Sequence, residues 1–148
     1  MPSIYFSGSI SGGREDVALY SRIVNHLRSM GHHVLAGEVT NQGVTQEGEG
    51  LDATAIFKRD LGWIEEVAVA GGMIVAEVSR PSLGVGYEIA VARYHFDMPV
   101  ICLWRAAHSK RCSAMIAGDH GIHLIEYRAD NEASMLERLG EAIQKSGK

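Results

Sequence analysis

Pro81-Ser82-Leu83-Gly84-Val85-Gly86-Tyr87-Glu88 follows a short apolar run, Met73-Ile74-Val75-Ala76, and opens into Ile89-Ala90-Val91-Ala92-Arg93-Tyr94-His95-Phe96. The order is strand, glycine-containing turn and helix, with a lone carboxylate, Glu88, where the helix begins. Open α/β sheets place their ligand sites there, at the carboxyl ends of the strands. Glycines let the backbone come close to a ligand, and the free N–H groups of a helix start attract anions. Ser82 is followed three residues later by Val85, so this is not a capping box. The plain alternative for Glu88 is a solvated side chain in the first helical turn.

Outward from that stretch the pattern repeats. Ser3–Ser7 is a short β-type run that ends at Gly8-Ser9-Ile10-Ser11-Gly12-Gly13. Val17, Tyr20, Ile23, Val24, Leu27 and Met30 follow a helical period closed by Gly31. His33–Ala36 reads as a second strand, residues 40–52 as a long polar loop, Ala53–Val69 as a helix and residues 73–78 as a third strand. The helix after Glu88 ends near Asp97, and a fourth strand covers Met98–Trp104. A short helix near Ser113–Ala117, a fifth strand at His123–Tyr127 and a helix from Glu132 to Gln144 complete a single domain over residues 1–148. Alternating strands and helices predict an α/β fold of three layers, a doubly wound, five-stranded parallel sheet in the order 2-1-3-4-5. The turns after strands 1 and 3 then face each other across the switch-point crevice.

Composition narrows the function classes. The chain is 46% hydrophobic and 22% charged, which is ordinary for a globular domain. A formal net charge of −4 argues against a basic surface for a nucleic-acid polymer. Cys102 and Cys112 form no metal or disulfide pattern and read as reduced thiols. No apolar run approaches a membrane span, and Met1 leads straight into a strand rather than a signal peptide. The expected compartment is the cytoplasm, or the nucleus as well in a eukaryote.

Three further places carry possible chemistry. The Gly8–Gly13 turn is neither a Walker loop nor a dinucleotide fingerprint. It is either a flexible connection or a phosphate cradle built from Ser9 and backbone N–H groups, with Arg14 nearby. Asp60 projects into the middle of the apolar face of its helix, among Ala53, Ile56, Phe57, Leu61, Ile64 and Val67. A carboxylate there is either bonded to a backbone group or has a pKa raised by desolvation. Glu88, ionised at a helix start, and Asp60, protonated on an apolar face, make the pair that glycosidic cleavage requires. Tyr5, at the end of strand 1, is placed to orient Glu88 or to serve as a core aromatic. Ser113-Ala114-Met115 reads as an ordinary cap or as another anion site at a helix start. His120 and His123 lack the companions of a zinc site.

These motifs resemble a known family. Ile4–Ile10, Gly12–Asp16, Asp60-Leu61-x-Trp63, Ala76-Glu77-Val78, Pro81–Glu88 and Ser113–Ile116 stand in the order and register of the 2′-deoxynucleoside 5′-phosphate N-hydrolases, a branch of the nucleoside 2-deoxyribosyltransferase family. The resemblance implies a flavodoxin-like fold and a homodimer that cleaves the N-glycosidic bond of deoxynucleoside monophosphates without a cofactor or metal. It implies that Glu88 is the nucleophile, that Asp60 is the general acid, and that Tyr5 positions Glu88 and crowds the space of a ribose 2′-hydroxyl. Gly8, Ser9, Ile10, Ser82 and Gly84 would hold the 5′-phosphate within the turns that also contain Ser11, Gly12, Gly13 and Arg14. Ser113, Ala114 and Met115 of a neighbouring subunit would complete the site. Ser11 replaces an Arg of the relatives and Glu38 a His of the mammalian ones, so base preference need not transfer. The tail, Lys145–Lys148, lacks the aromatic-plus-carboxylate ending of the transferases. Base exchange by a transferase, and a non-catalytic nucleotide-binding module, are the alternatives to hydrolysis.

Overall fold

The computed structural model describes residues 1–10, 16–40, 50–106 and 111–147. Strands β1 (Ile4–Ser7), β2 (Val34–Leu35), β3 (Met73–Glu77), β4 (Val100–Arg105) and β5 (Ile122–Tyr127) form one parallel sheet in the order β2-β1-β3-β4-β5. The expected doubly wound order is thus found. Helices α1 (Val17–Ser29), α2 (Ala53–Val69), α3 (Leu83–Ala90), α4 (Ala114–Ala117) and α5 (Glu132–Ser146) connect and cover it.

Because side chains alternate along a strand, the sheet sorts its residues into two cores. Ile4, Phe6, Met73, Val75, Ile101 and Leu103 pack with Leu19, Tyr20, Ile23 and Leu27 of α1 and Met135, Leu139 and Ile143 of α5. Tyr5, Ile74, Ala76, Val100 and Cys102 pack on the opposite face with Ile64 and Val67 of α2 and Val85 and Ile89 of α3. Every residue of β1 and β3 is buried, which explains why these strands read as near-continuous apolar runs.

Helix ends follow local chemistry. Asp52 caps α2 by accepting from the Ala55 N–H at 2.8 Å, and Asn131 caps α5 by accepting from the Ser134 N–H at 3.3 Å. Gly31, at φ +96°, supplies the left-handed turn after α1.

The start of α3 departs from the sequence expectation. Glycines 84 and 86 read as a turn, yet the helix already begins at Leu83, and the Ser82 hydroxyl caps it by accepting from the Val85 N–H at 3.3 Å. Burial of Val85 and Ile89 outweighs the low helix propensity of two glycines. Glu88 therefore lies in the second turn of α3, not at its N-terminus. The helix runs on through a π-turn, Val91–His95.

Gly72, just before β3, admits no side chain. A Cβ there would stand 2.2 Å from the Ser3 carbonyl oxygen and 2.6 Å from Val67 Cγ1, and the first of these is backbone that cannot rotate away. Gly72→Ala is expected to lower stability by about 2–4 kcal/mol, read as an earlier chemical-denaturation midpoint, because it pushes β3 away from β1.

Candidate active site

Alternation in β1 sends Tyr5 and Ser7 to the same face, toward α2 and α3. Each meets Glu88. The Tyr5 hydroxyl donates to Glu88 Oε2 at 2.6 Å, and the Ser7 hydroxyl donates to Oε1 at 2.7 Å. Both carboxylate oxygens are thereby fixed by two residues of one strand. Tyr5 had been expected to orient Glu88, and it does contact it. Ser7 was not singled out from the sequence, although its spacing of two from Tyr5 in a strand is the signal that places it.

Burial pushes the Glu88 carboxyl up to about 7, against the pull of the Tyr5 and Ser7 hydrogen bonds. Asp60 adds to the upward push, both by its charge and by a hydrogen bond between the two carboxyl groups. Tyr5 is itself pushed far above the usual phenol range, first by burial and then by the charge of Glu88, so it stays a donor. This corrects the expected setting of Glu88, which lies in the second turn of α3 with no helix N-terminus to favour its anion.

Asp60 also differs from its expected setting. The N-terminal half of α2 is open: Ala53 is exposed, Ile56 half-buried and Phe57 51% exposed, whereas Ile64 and Val67 are buried. Asp60 sits at the boundary and pairs with Arg59, whose Nε and terminal nitrogen both lie 2.9 Å from Asp60 Oδ1. The Arg59 guanidinium lies 4.9 Å from the centre of the Trp63 ring. Adjacent residues along a helix do not ordinarily face each other, so the sequence held no sign of this pair. Phe57 and Tyr87 meet edge to face at 6.3 Å, bridging α2 and α3 close to the two carboxyls in sequence.

The remaining expected residues fall in two groups. Gly8 packs against Tyr20, where a Cβ would come 3.0 Å from the ring; Ser9 is buried, and Ile10 is packed on the α1 side of the sheet. Ser11, Gly12, Gly13 and Arg14 lie outside the described residues, as does most of the 40–52 loop. Ser82, Ser113, Ala114 and Met115 line a groove of about 1090 Å³ between α3 and α4, together with Leu83 and Tyr94. Gly84 is exposed at the first turn of α3. Within one chain, Tyr5, Asp60 and Glu88 are brought together, while Ser113, Ala114 and Met115 are exposed on the far side of α3.

Among the described residues no cluster of three His, Cys, Asp or Glu side chains is disposed to hold a metal ion, and no helix is long and apolar enough to cross a membrane. Cys102 is buried and Cys112 half-buried, and both are free thiols.

The fold is that of the nucleoside 2-deoxyribosyltransferases. A solved 2-deoxyribosyltransferase from Bacillus psychrosaccharolyticus superposes with a TM-score of 0.62 at 18% identity, over 90% of this chain and 95% of that one. Sequence comparison is more specific. The 5-hydroxymethyl-dUMP N-hydrolase of Mus musculus is 41% identical, over 98% of this chain and 83% of its own length. The human protein of the same name is 40% identical, over 95% and 80%. A protein of Nematostella vectensis, provisionally named 2′-deoxynucleoside 5′-phosphate N-hydrolase 1, is 43% identical over 90% of each chain. No protein-family model matches the chain. The chain belongs to the 2′-deoxynucleoside 5′-phosphate N-hydrolase family.

The Glu88 environment is directly measurable. Carbon-detected NMR titration of its carboxyl is expected to give a midpoint near 7. Ser7→Ala, by removing a bond that favours the anion, moves that midpoint up by about one unit. An ordinary glutamate midpoint in the folded protein contradicts the geometry.

Proposed function

We propose that this protein hydrolyses the N-glycosidic bond of 2′-deoxynucleoside 5′-monophosphates, releasing the nucleobase and 2-deoxyribose 5-phosphate. The observation that carries the reading is the half-buried Glu88 carboxyl, gripped by Tyr5 and Ser7 with a second carboxyl, Asp60, beside it. One carboxyl in its ionised form can serve as nucleophile while its neighbour serves as the acid. Glu88 attacks the anomeric carbon through an oxocarbenium-like transition state as the bond to the base breaks, and Asp60 delivers a proton to the departing base. Water then attacks the resulting glycosyl ester, returns a proton to the pair, and frees the sugar phosphate. Tyr5 and Ser7 keep the carboxylate plane fixed through both steps, so that little reorganisation accompanies charge development.

The sugar lacks a 2-hydroxyl and offers no hydrogen bond at that position, so the 5′-phosphate supplies much of the positioning energy. Gly8, Ser9 and Ile10 on one turn, and Ser82 and Gly84 at the start of α3, are the phosphate contacts of this reading. Helix N–H groups hold an anion without a lysine cluster, which suits an acidic chain. In the same reading the protein works in the cytoplasm.

The working unit is a homodimer. Leu83, Tyr87, Ala90 and Tyr94, spaced four, three and four residues apart, are all exposed along one side of α3 and its π-turn, with Leu83 at 96% and Tyr94 at 72%. Met115, 82% exposed, stands beside them in the groove. A second copy seated on this stripe buries it and carries Ser113, Ala114 and Met115 to its neighbour's phosphate. Ala90→Glu, which places a charge in the stripe and removes no contact, is expected to give a monomer in sedimentation velocity with activity down about a hundredfold. A fully active monomer contradicts the shared site.

Chromatography of dGMP, dAMP, dCMP, dTMP, 5-hydroxymethyl-dUMP, GMP and deoxyguanosine after incubation tests the activity. Free base is expected from deoxynucleoside monophosphates, with GMP intact and deoxyguanosine cleaved far more slowly. Nucleotide binding with no base released contradicts hydrolysis, and transfer of the sugar to an added free base identifies a transferase. Glu88→Ala is expected to lower turnover by at least about a thousandfold while nucleotide binding survives.

The Glu88 carboxyl sets the pH dependence. Burial raises its midpoint to about 7, and only its ionised form attacks the anomeric carbon. kcat/KM is therefore expected to rise as pH rises through about 7 and to level off above it. A kcat/KM that does not change across that range contradicts the role of Glu88.

A further inference from the structure

On the opposite face of the sheet from Glu88 lies a fully buried carboxyl group that takes no part in this chemistry. Glu77 ends β3 and is 1% exposed. Its Oε1 accepts the Ser79 N–H at 2.6 Å, and its Oε2 accepts the Ser79 hydroxyl at 3.1 Å and a short bond from the Tyr127 hydroxyl of β5. The Ser79 hydroxyl oxygen in turn accepts the Arg105 N–H at the end of β4, at 2.8 Å. The Arg105 guanidinium grips Asp16 with two bonds of 3.1 and 3.0 Å, and Arg80 Nε lies 3.4 Å from the same carboxylate.

The network thus ties the ends of β3, β4 and β5 to two turns. One is the turn through Ser79 and Arg80 that leads to Ser82. The other is the bend at Asp16, where α1 begins. Buried charge of this kind is a poor stabiliser, since an apolar replacement often serves stability as well or better. Its satisfied hydrogen bonds instead specify one geometry. Here the geometry specified is that of the segment three residues ahead of the α3 cap.

We propose that Glu77 is a positioning residue for the 5′-phosphate: by clamping Ser79 it sets the approach to Ser82 and to the first N–H groups of α3, while the Arg105–Asp16 link ties the same network to the start of α1. The proposal rests on the phosphate reading given above. Glu77 lies on the opposite face of the sheet from Glu88 and Asp60, so its loss is expected to act on phosphate binding rather than on the reacting carboxyls.

The test compares wild type, Glu77→Gln and Tyr127→Phe by KM and kcat for dGMP, by the inhibition constant of inorganic phosphate, and by Tm. Glu77→Gln is expected to raise KM about tenfold and the phosphate inhibition constant in parallel, with kcat within about twofold. Tyr127→Phe removes one hydroxyl and keeps the ring; it is expected to give the same split at about threefold, and it carries the test if Glu77→Gln does not fold. Variants that melt like wild type and show an unchanged KM, or kcat and KM changing together with no change in phosphate inhibition, overturn the positioning role. A wild type that cleaves deoxyguanosine as fast as dGMP and ignores inorganic phosphate overturns the phosphate reading itself, and this proposal with it.

Discussion

Burial of the Glu88 carboxylate against β1 is the constraint on which the rest of the site depends. A carboxylate taken out of water is costly unless its oxygens find donors. Here the donors are Tyr5 and Ser7, which only a strand could present side by side on one face, and only a strand paired directly with β3 could present to α3. The doubly wound order places β1 and β3 as neighbours, so the topology and the carboxylate are parts of one arrangement. The remaining cost is not removed. It is retained as a pKa raised to about 7.

The two faces of the sheet divide the work. Toward α2 and α3 stand Glu88 and Asp60, the latter ion-paired with Arg59. Toward α1 and α5, Glu77 and Asp16 tie the ends of β3, β4 and β5 to the turn through Ser79 and to the start of α1. A parallel sheet suits this division because all its strands end at the same edge, so groups of opposite faces meet there around one ligand.

Much of this was legible in the sequence. The apolar runs and their helical intervals gave the five strands and their order, and α2 has the bounds that its period predicts. Tyr5, Asp60 and Glu88 do meet. What failed was local. Glycines 84 and 86 carry a strong turn signal, and only the packing of Val85 and Ile89 shows that the chain is helical there, which moves Glu88 away from the helix start. Ser7 was readable from its alternation with Tyr5, but a serine at a strand end attracts no notice until its partner is known. The Arg59–Asp60 pair was not readable at all, because adjacent helical residues meet only when one long side chain folds back. Nor was the Glu77 network, whose members come from α1, three strands and a turn.

The most direct measurement is peptide mapping after an acid quench during turnover, using a deoxynucleoside monophosphate analogue whose 2′-fluorine slows breakdown of the glycosyl ester. The account predicts a sugar-phosphate adduct on the peptide that contains Glu88, absent from Glu88→Ala. Base release at full burst with Glu88 unmodified, or an adduct on another residue, contradicts it.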